Sequence, residues 1–155
     1  MTSFTKSMLK LIRNSAIAMT LATGVSPALA HDDAYLDTLK SENGGQLRMA
    51  GIYHFELVMV KDSKNTKDNQ LMVYVTDHAG TKIPSAGASA TATILNGKVK
   101  TTATLVADGD NRLKGMAKYA SDANIKVVLA VSMPGKSVEQ ARFTPFAAAK
   151  DEHKH

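Results

Sequence analysis

Ile52-Tyr53-His54-Phe55-Glu56-Leu57-Val58-Met59-Val60 decides the fold class, because its side chains alternate. Tyr53, Phe55, Leu57 and Met59 fall on one face of an extended chain; Ile52, His54, Glu56 and Val58 fall on the other. A period of two sets one apolar row against a core, the pattern of a half-buried strand. The pattern returns further along. Residues 61–69 (KDSKNTKDN) are wholly polar and read as a hairpin loop. Residues 70–76 alternate again, with Leu71, Val73 and Val75 on one side. Asp77-His78-Ala79-Gly80 is a turn, and Pro84 marks a bend. Residues 88–95 and 98–106 flank Asn96-Gly97, a strong hairpin signal, since both central residues of a type I′ turn need positive φ. Asp108-Gly109-Asp110-Asn111 turns the chain into a weaker strand over 112–119, thinned by Gly115. Residues 125–133 place Ile125, Val127, Leu129, Val131 and Met133 on one face, and 138–144 form the last run.

Seven short strands at roughly 8–12-residue intervals predict an all-β domain over 49–145, a seven-stranded antiparallel immunoglobulin-like sandwich. Its core should hold Tyr53, Phe55, Leu57, Leu71, Val73, Ile125, Val127, Leu129 and Val131. Asp33 to Leu39 could form one helical turn, but residues 31–48 lack a sustained apolar period and read as an extended or frayed arm. Residues 146–155 read as a flexible tail carrying His153 and His155.

The first thirty residues have another use. Lys6, Lys10 and Arg13 precede a short apolar run over 15–25, and Ala28-Leu29-Ala30 is a small-residue cleavage site. This is the pattern of a signal peptide (1–30), so the expected location is the periplasm and the working chain begins at His31. Three of the 19 basic residues and none of the 14 acidic ones lie in that leader, which leaves a balance of +2. So small a charge argues against a nucleic-acid partner. No later stretch is apolar over about 18 residues, so no membrane span is expected after signal cleavage. Cysteine and tryptophan are absent. Thiolate sites, cysteine nucleophiles and redox motifs are thereby excluded, and a base-stacking platform is disfavoured.

A family resemblance emerges from five segments. They are Gly44-Gly45; Tyr53-His54-Phe55-Glu56-Leu57-Val58; Val73-Tyr74-Val75-Thr76-Asp77-His78; Gly109-Asp110-Asn111-Arg112-Leu113-Lys114-Gly115; and the closing run from Leu129 to Arg142-Phe143-Thr144. Together they resemble small exported β-sandwich proteins of Gram-negative bacteria. Such proteins are often encoded beside heavy-metal (copper-type) efflux systems, and similar domains extend the periplasmic adaptor subunits of those pumps. The likeness spans residues 43–144 and rests mostly on strand and turn positions. It therefore implies fold more than function, with heavy-metal efflux components as the implied partners. The family often carries His before the Gly-Gly pair; this chain has Asn43 there, one potential ligand fewer.

Histidine carries the chemistry that remains. Imidazole suits copper, zinc and nickel. A terminal His31 would chelate through its amine and one ring nitrogen, with Asp32 and Asp33 adjacent. If residues 61–69 close a hairpin, His54 lies opposite Thr76 or Asp77, and His78 becomes its diagonal neighbour. Glu56 shares the face of His54. The metal candidates are therefore His31, His54, His78, Glu56 and Asp77, holding a copper or zinc ion. The competing account is a solvent-facing histidine bonded to a turn carboxylate, and a one-residue slip would put the two rings on opposite faces. Met59 and Met133 fall on core faces; Met49 and Met72 do not, and their thioethers suit Cu(I). No Gly-x-Ser-x-Gly elbow, Walker-type loop or HExxH helix occurs, so the protein is not expected to be an enzyme. The leading expectation is a periplasmic metal-binding protein, copper slightly preferred, supporting metal tolerance or efflux. The alternative is a metal-free interaction module docking on an efflux adaptor or another envelope protein, for which apolar Ile52 and Val58 on the outer face would speak.

Overall fold

A computed structural model of the chain describes residues 33–148. The leader, His31 and the two terminal histidines lie outside the described residues. One short helix, α1 (Asp33–Thr38), is followed by eight strands: β1 (Gln46–Ala50), β2 (Tyr53–Met59), β3 (Lys67–Thr76), β4 (Ser89–Asn96), β5 (Val99–Ala107), β6 (Arg112–Tyr119), β7 (Lys126–Ser132) and β8 (Glu139–Phe143). All eight belong to one antiparallel sheet in the order β1-β2-β3-β6-β5-β4-β7-β8. Each of the seven expected runs is a strand. The expected core is buried at every one of its nine positions, joined by Ile94, Leu105, Leu113 and Phe143. Fully burying side chains of this size contributes about 1.5–3 kcal/mol each, and that driving force holds the register.

Three elements differ from the sequence reading. The eighth strand, β1, lies across the end of the expected arm, pairing Gln46 with Leu57 and Ala50 with Tyr53. Five residues are too few to show a period. β3 starts inside the polar stretch, at Lys67, because Asn69 is buried there and its amide is used: Nδ2 donates to Ser63 Oγ at 2.9 Å and to the Tyr119 carbonyl at 2.8 Å. The arm also contains α1, whose Leu36 is 1% exposed. In the tail, Phe146 packs against the core, its ring 6.2 Å from that of Tyr119.

The ladder of the sheet is shortest between β5 and β6. Their ladder has only two pairs, Val106 with Lys114 and Ala107 with Leu113. Beyond it β5 passes close over β6: a Cβ on Gly115 would run into the Thr104 carbonyl oxygen. The glycine that weakens the strand pattern is thus what admits the neighbouring backbone.

The two outer strands, β1 and β8, then meet along a seam that side chains bridge. Gln46 Oε1 accepts from the Thr144 amide at 2.7 Å, while its Nε2 donates to Asp37 Oδ1 at 3.1 Å. Arg48 is buried on β1, and a buried cation requires partners. α1 supplies them: Nη1 and Nη2 reach the two Asp37 oxygens at 2.7 and 3.2 Å, and Nε lies 3.5 Å from Asp33. The helix lies against β1, beside the seam of a nearly closed sheet. Among the described residues no helix is long and apolar enough to cross a membrane.

Candidate metal centre

His54 is the second residue of β2, and the strand's inward row assigns it to the outer face, half-buried. It opposes Thr76 on β3 and Met49 on β1. His78 sits two residues beyond the end of β3, exposed on the turn that follows. The ladder puts it diagonally next to His54, as the spacing predicts. The two imidazoles lie 4.9 Å apart between ring centroids and 16° from parallel. These two candidates are brought together.

Asp77 builds the turn that carries His78. Its Oδ1 accepts from the amides of Ala79 and Thr81, each at 2.8 Å, and its own amide donates to the Thr81 carbonyl at 2.9 Å. The Thr81 amide is the largest cause holding the carboxyl below its ordinary value. Its chemistry is that of a turn anchor which places the ring.

Glu56 is buried and fully engaged. Oε1 accepts from the Asn43 amide at 2.8 Å and the Gly45 amide at 2.9 Å; Oε2 accepts from Asn43 Nδ2 at 2.8 Å. Three donors around one carboxylate fix the loop that leads into β1. Gly45 is required there, since a Cβ would strike the Leu57 carbonyl oxygen. Asn43, where the resembling family often has His, is thus a partner of Glu56. His31 lies outside the described residues. Among the described residues no group of three or more His, Asp or Glu gathers around one point.

The stacked rings set a geometric condition. An imidazole binds a metal in its own plane, and two near-parallel planes do not converge on one ion. Joint ligation therefore requires one ring to turn, and His78, on its exposed turn, is the one placed to do so. Of the thioethers, Met49 is the cross-strand partner of His54. Met72 is half-buried, with its sulfur 3.8 Å from the Tyr74 hydroxyl. Met59 and Met133 are core.

Sequence reasoning missed the use of Asn43 and Gly45 as Glu56 donors, and the Arg48 latch. Arginine in a strand gives no signal of burial, and Asn43-Gly44-Gly45 signals only a turn. No family model, curated protein or solved structure matches the chain.

Proposed function

We propose that the protein is a periplasmic transition-metal-binding protein, copper preferred over zinc, that supports metal tolerance or efflux by ligation and hand-over. The observation that carries this reading is the His54–His78 pair, two imidazoles 4.9 Å apart on one face. Met49 beside His54 is the reason for preferring copper, since a thioether suits the monovalent ion. The periplasmic location and the terminal ligand His31 rest on the leader's pattern. The efflux association rests on the family resemblance. The architectural part of the proposal is an immunoglobulin-like sandwich of two four-stranded layers, β1-β2-β3-β6 and β5-β4-β7-β8. The two-pair β5–β6 ladder supports it as the hinge.

Calorimetry with Cu(II), with Zn(II) and with Cu(I) under reductant tests the reading. The wild-type protein starting at His31 should bind one ion, and the joint replacement His54→Ala, His78→Ala should weaken it at least tenfold. Binding should also weaken as pH falls through the imidazole range near 6.5, because protons compete for the same nitrogens. Binding no tighter than about millimolar, roughly −4 kcal/mol, sinks the metal reading.

One observation favours the interaction module in that event. Ile52, in the turn between β1 and β2, is 63% exposed. Docking would then use that outer surface and not the sheet edges, since β1 and β8 lie against each other.

A further inference from the structure

Met49 on β1 and His54 on β2 are directly opposed across their ladder, and the next pair along, Arg48 with Phe55, is the one that faces inward. Directly opposed residues of an antiparallel ladder share a face, with Cβ atoms about 4.5–5.5 Å apart. Met49 and His54 therefore rise side by side from the outer face, and both are half-buried. A thioether on an unbranched side chain turns on soft torsions, so it adapts to an ion that a ring nitrogen holds.

His78 stands in a different relation to His54. The two rings lie face to face, 16° from parallel with centroids 4.9 Å apart. A ring nitrogen ligates in the plane of its ring. An ion in the plane of His54 is thus out of the plane of His78, and the two rings share one ion only after His78 turns. His54 and the adaptable thioether can share one with both rings as they stand.

The donors at hand decide which ion. Zn(II) takes four ligands, and Cu(II) prefers a square of nitrogen and oxygen donors. The neighbouring carboxylates are engaged elsewhere. Glu56 accepts from Asn43 and Gly45, and Asp77 from the amides of Ala79 and Thr81. Thr76, opposite His54 on β3, offers a hydroxyl, a weak donor to soft ions. One imidazole and one thioether make a sparse, soft set. It suits a monovalent ion that is stable with two or three ligands, Cu(I) or Ag(I), and falls short of what a divalent ion needs.

We propose that Met49 and His54 hold a soft monovalent metal ion between β1 and β2, with His78 as a further ligand gained when its ring turns. Such a site rests on the metal reading of this face, and it makes Met49 rather than His78 the first partner of His54.

Calorimetry with Ag(I) in chloride-free buffer, and with Zn(II), tests it on the chain that starts at residue 31. The parent for all variants carries His31→Ala, His153→Ala and His155→Ala, so that the imidazoles of the two ends bind nothing. Met49→Leu keeps the side-chain volume, and an unchanged thermal melt will show that it is folded. It should lower Ag(I) affinity at least tenfold and leave Zn(II) affinity unchanged. His78→Ala should weaken Ag(I) binding less than Met49→Leu does. In carbon NMR spectra of protein labelled at the methionine methyl groups, the Met49 signal, assigned by its absence from Met49→Leu, should shift with Ag(I) and stay in place with Zn(II). Unchanged Ag(I) affinity in Met49→Leu, or a larger loss in His78→Ala than in Met49→Leu, overturns the proposal and leaves the histidine pair as the metal site. A wild-type protein that binds none of Ag(I), Zn(II) and Cu(II) overturns both.

Discussion

Glu56 and His54 are two residues apart on the same face of one strand, yet they do opposite things. Glu56 accepts three hydrogen bonds from Asn43 and Gly45 while buried; His54 reaches outward to another ring. Removing the first leaves three donors to find new partners; removing the second strips a half-exposed surface. Glu56→Ala should therefore destabilise the fold by about 3 kcal/mol, and His54→Ala by under about 1 kcal/mol, in urea melts. Losses of equal size would contradict the division of roles. Asp77 gives a pH test. Its folded carboxyl titrates below the ordinary 3.8, chiefly through the Thr81 amide. Its contribution to stability is thus fully present above that ordinary value and is lost as pH falls through the lower folded one. The stability gap between wild type and Asp77→Ala should be full above the ordinary 3.8 and narrow as pH falls below it. The gap will be small, because the side chain is solvated and screened. A gap that widens with acid would reverse the sign and refute the turn-anchor role.

At the scale of elements, the close passage of β5 over β6 makes the sharpest demand. Gly115→Ala puts a methyl group against the Thr104 backbone, which cannot yield as a side-chain tip would. A cost of about 1–3 kcal/mol in equilibrium unfolding is expected, against an ordinary strand preference for alanine over glycine. A neutral or stabilising substitution would mean that the two strands do not pass so closely. The elements also show what could be read in advance. The inward rows of β2, β3 and β7 were legible because a period of two over seven or more residues has few competing explanations. A hairpin at this point was legible, but its two-residue loop is Gly97-Lys98 and not Asn96-Gly97, since Asn96 still pairs with Val99 and only Gly97 takes the positive φ that the reading assigned to both loop residues. β1 and α1 were not fixed in advance, being five and six residues long, too short for a period, and held by side-chain bonds that no pattern announces: the buried Arg48 to Asp37, and Gln46 to the distant Thr144. The His54–His78 approach was legible from the hairpin register. The engagement of Glu56 was not, because its donors come from a loop whose path no periodicity describes.

For the whole molecule, the order of strands matters more than their number. The first strand and the last are neighbours in space, and the bond from the Thr144 amide to Gln46 spans 98 residues. β1 can pair with β2 as soon as a short hairpin forms, yet its other side has nothing to meet until β8 has been made. Synthesis proceeds from the N-terminus, so throughout the production of the intervening strands that edge stands open. An unpaired edge is a template for a second chain. The α1 helix and the buried Arg48 thus have a role in time as well as in space. By lying against β1 they shield one margin of an unfinished sheet until the last strand arrives and the Thr144 amide finds Gln46.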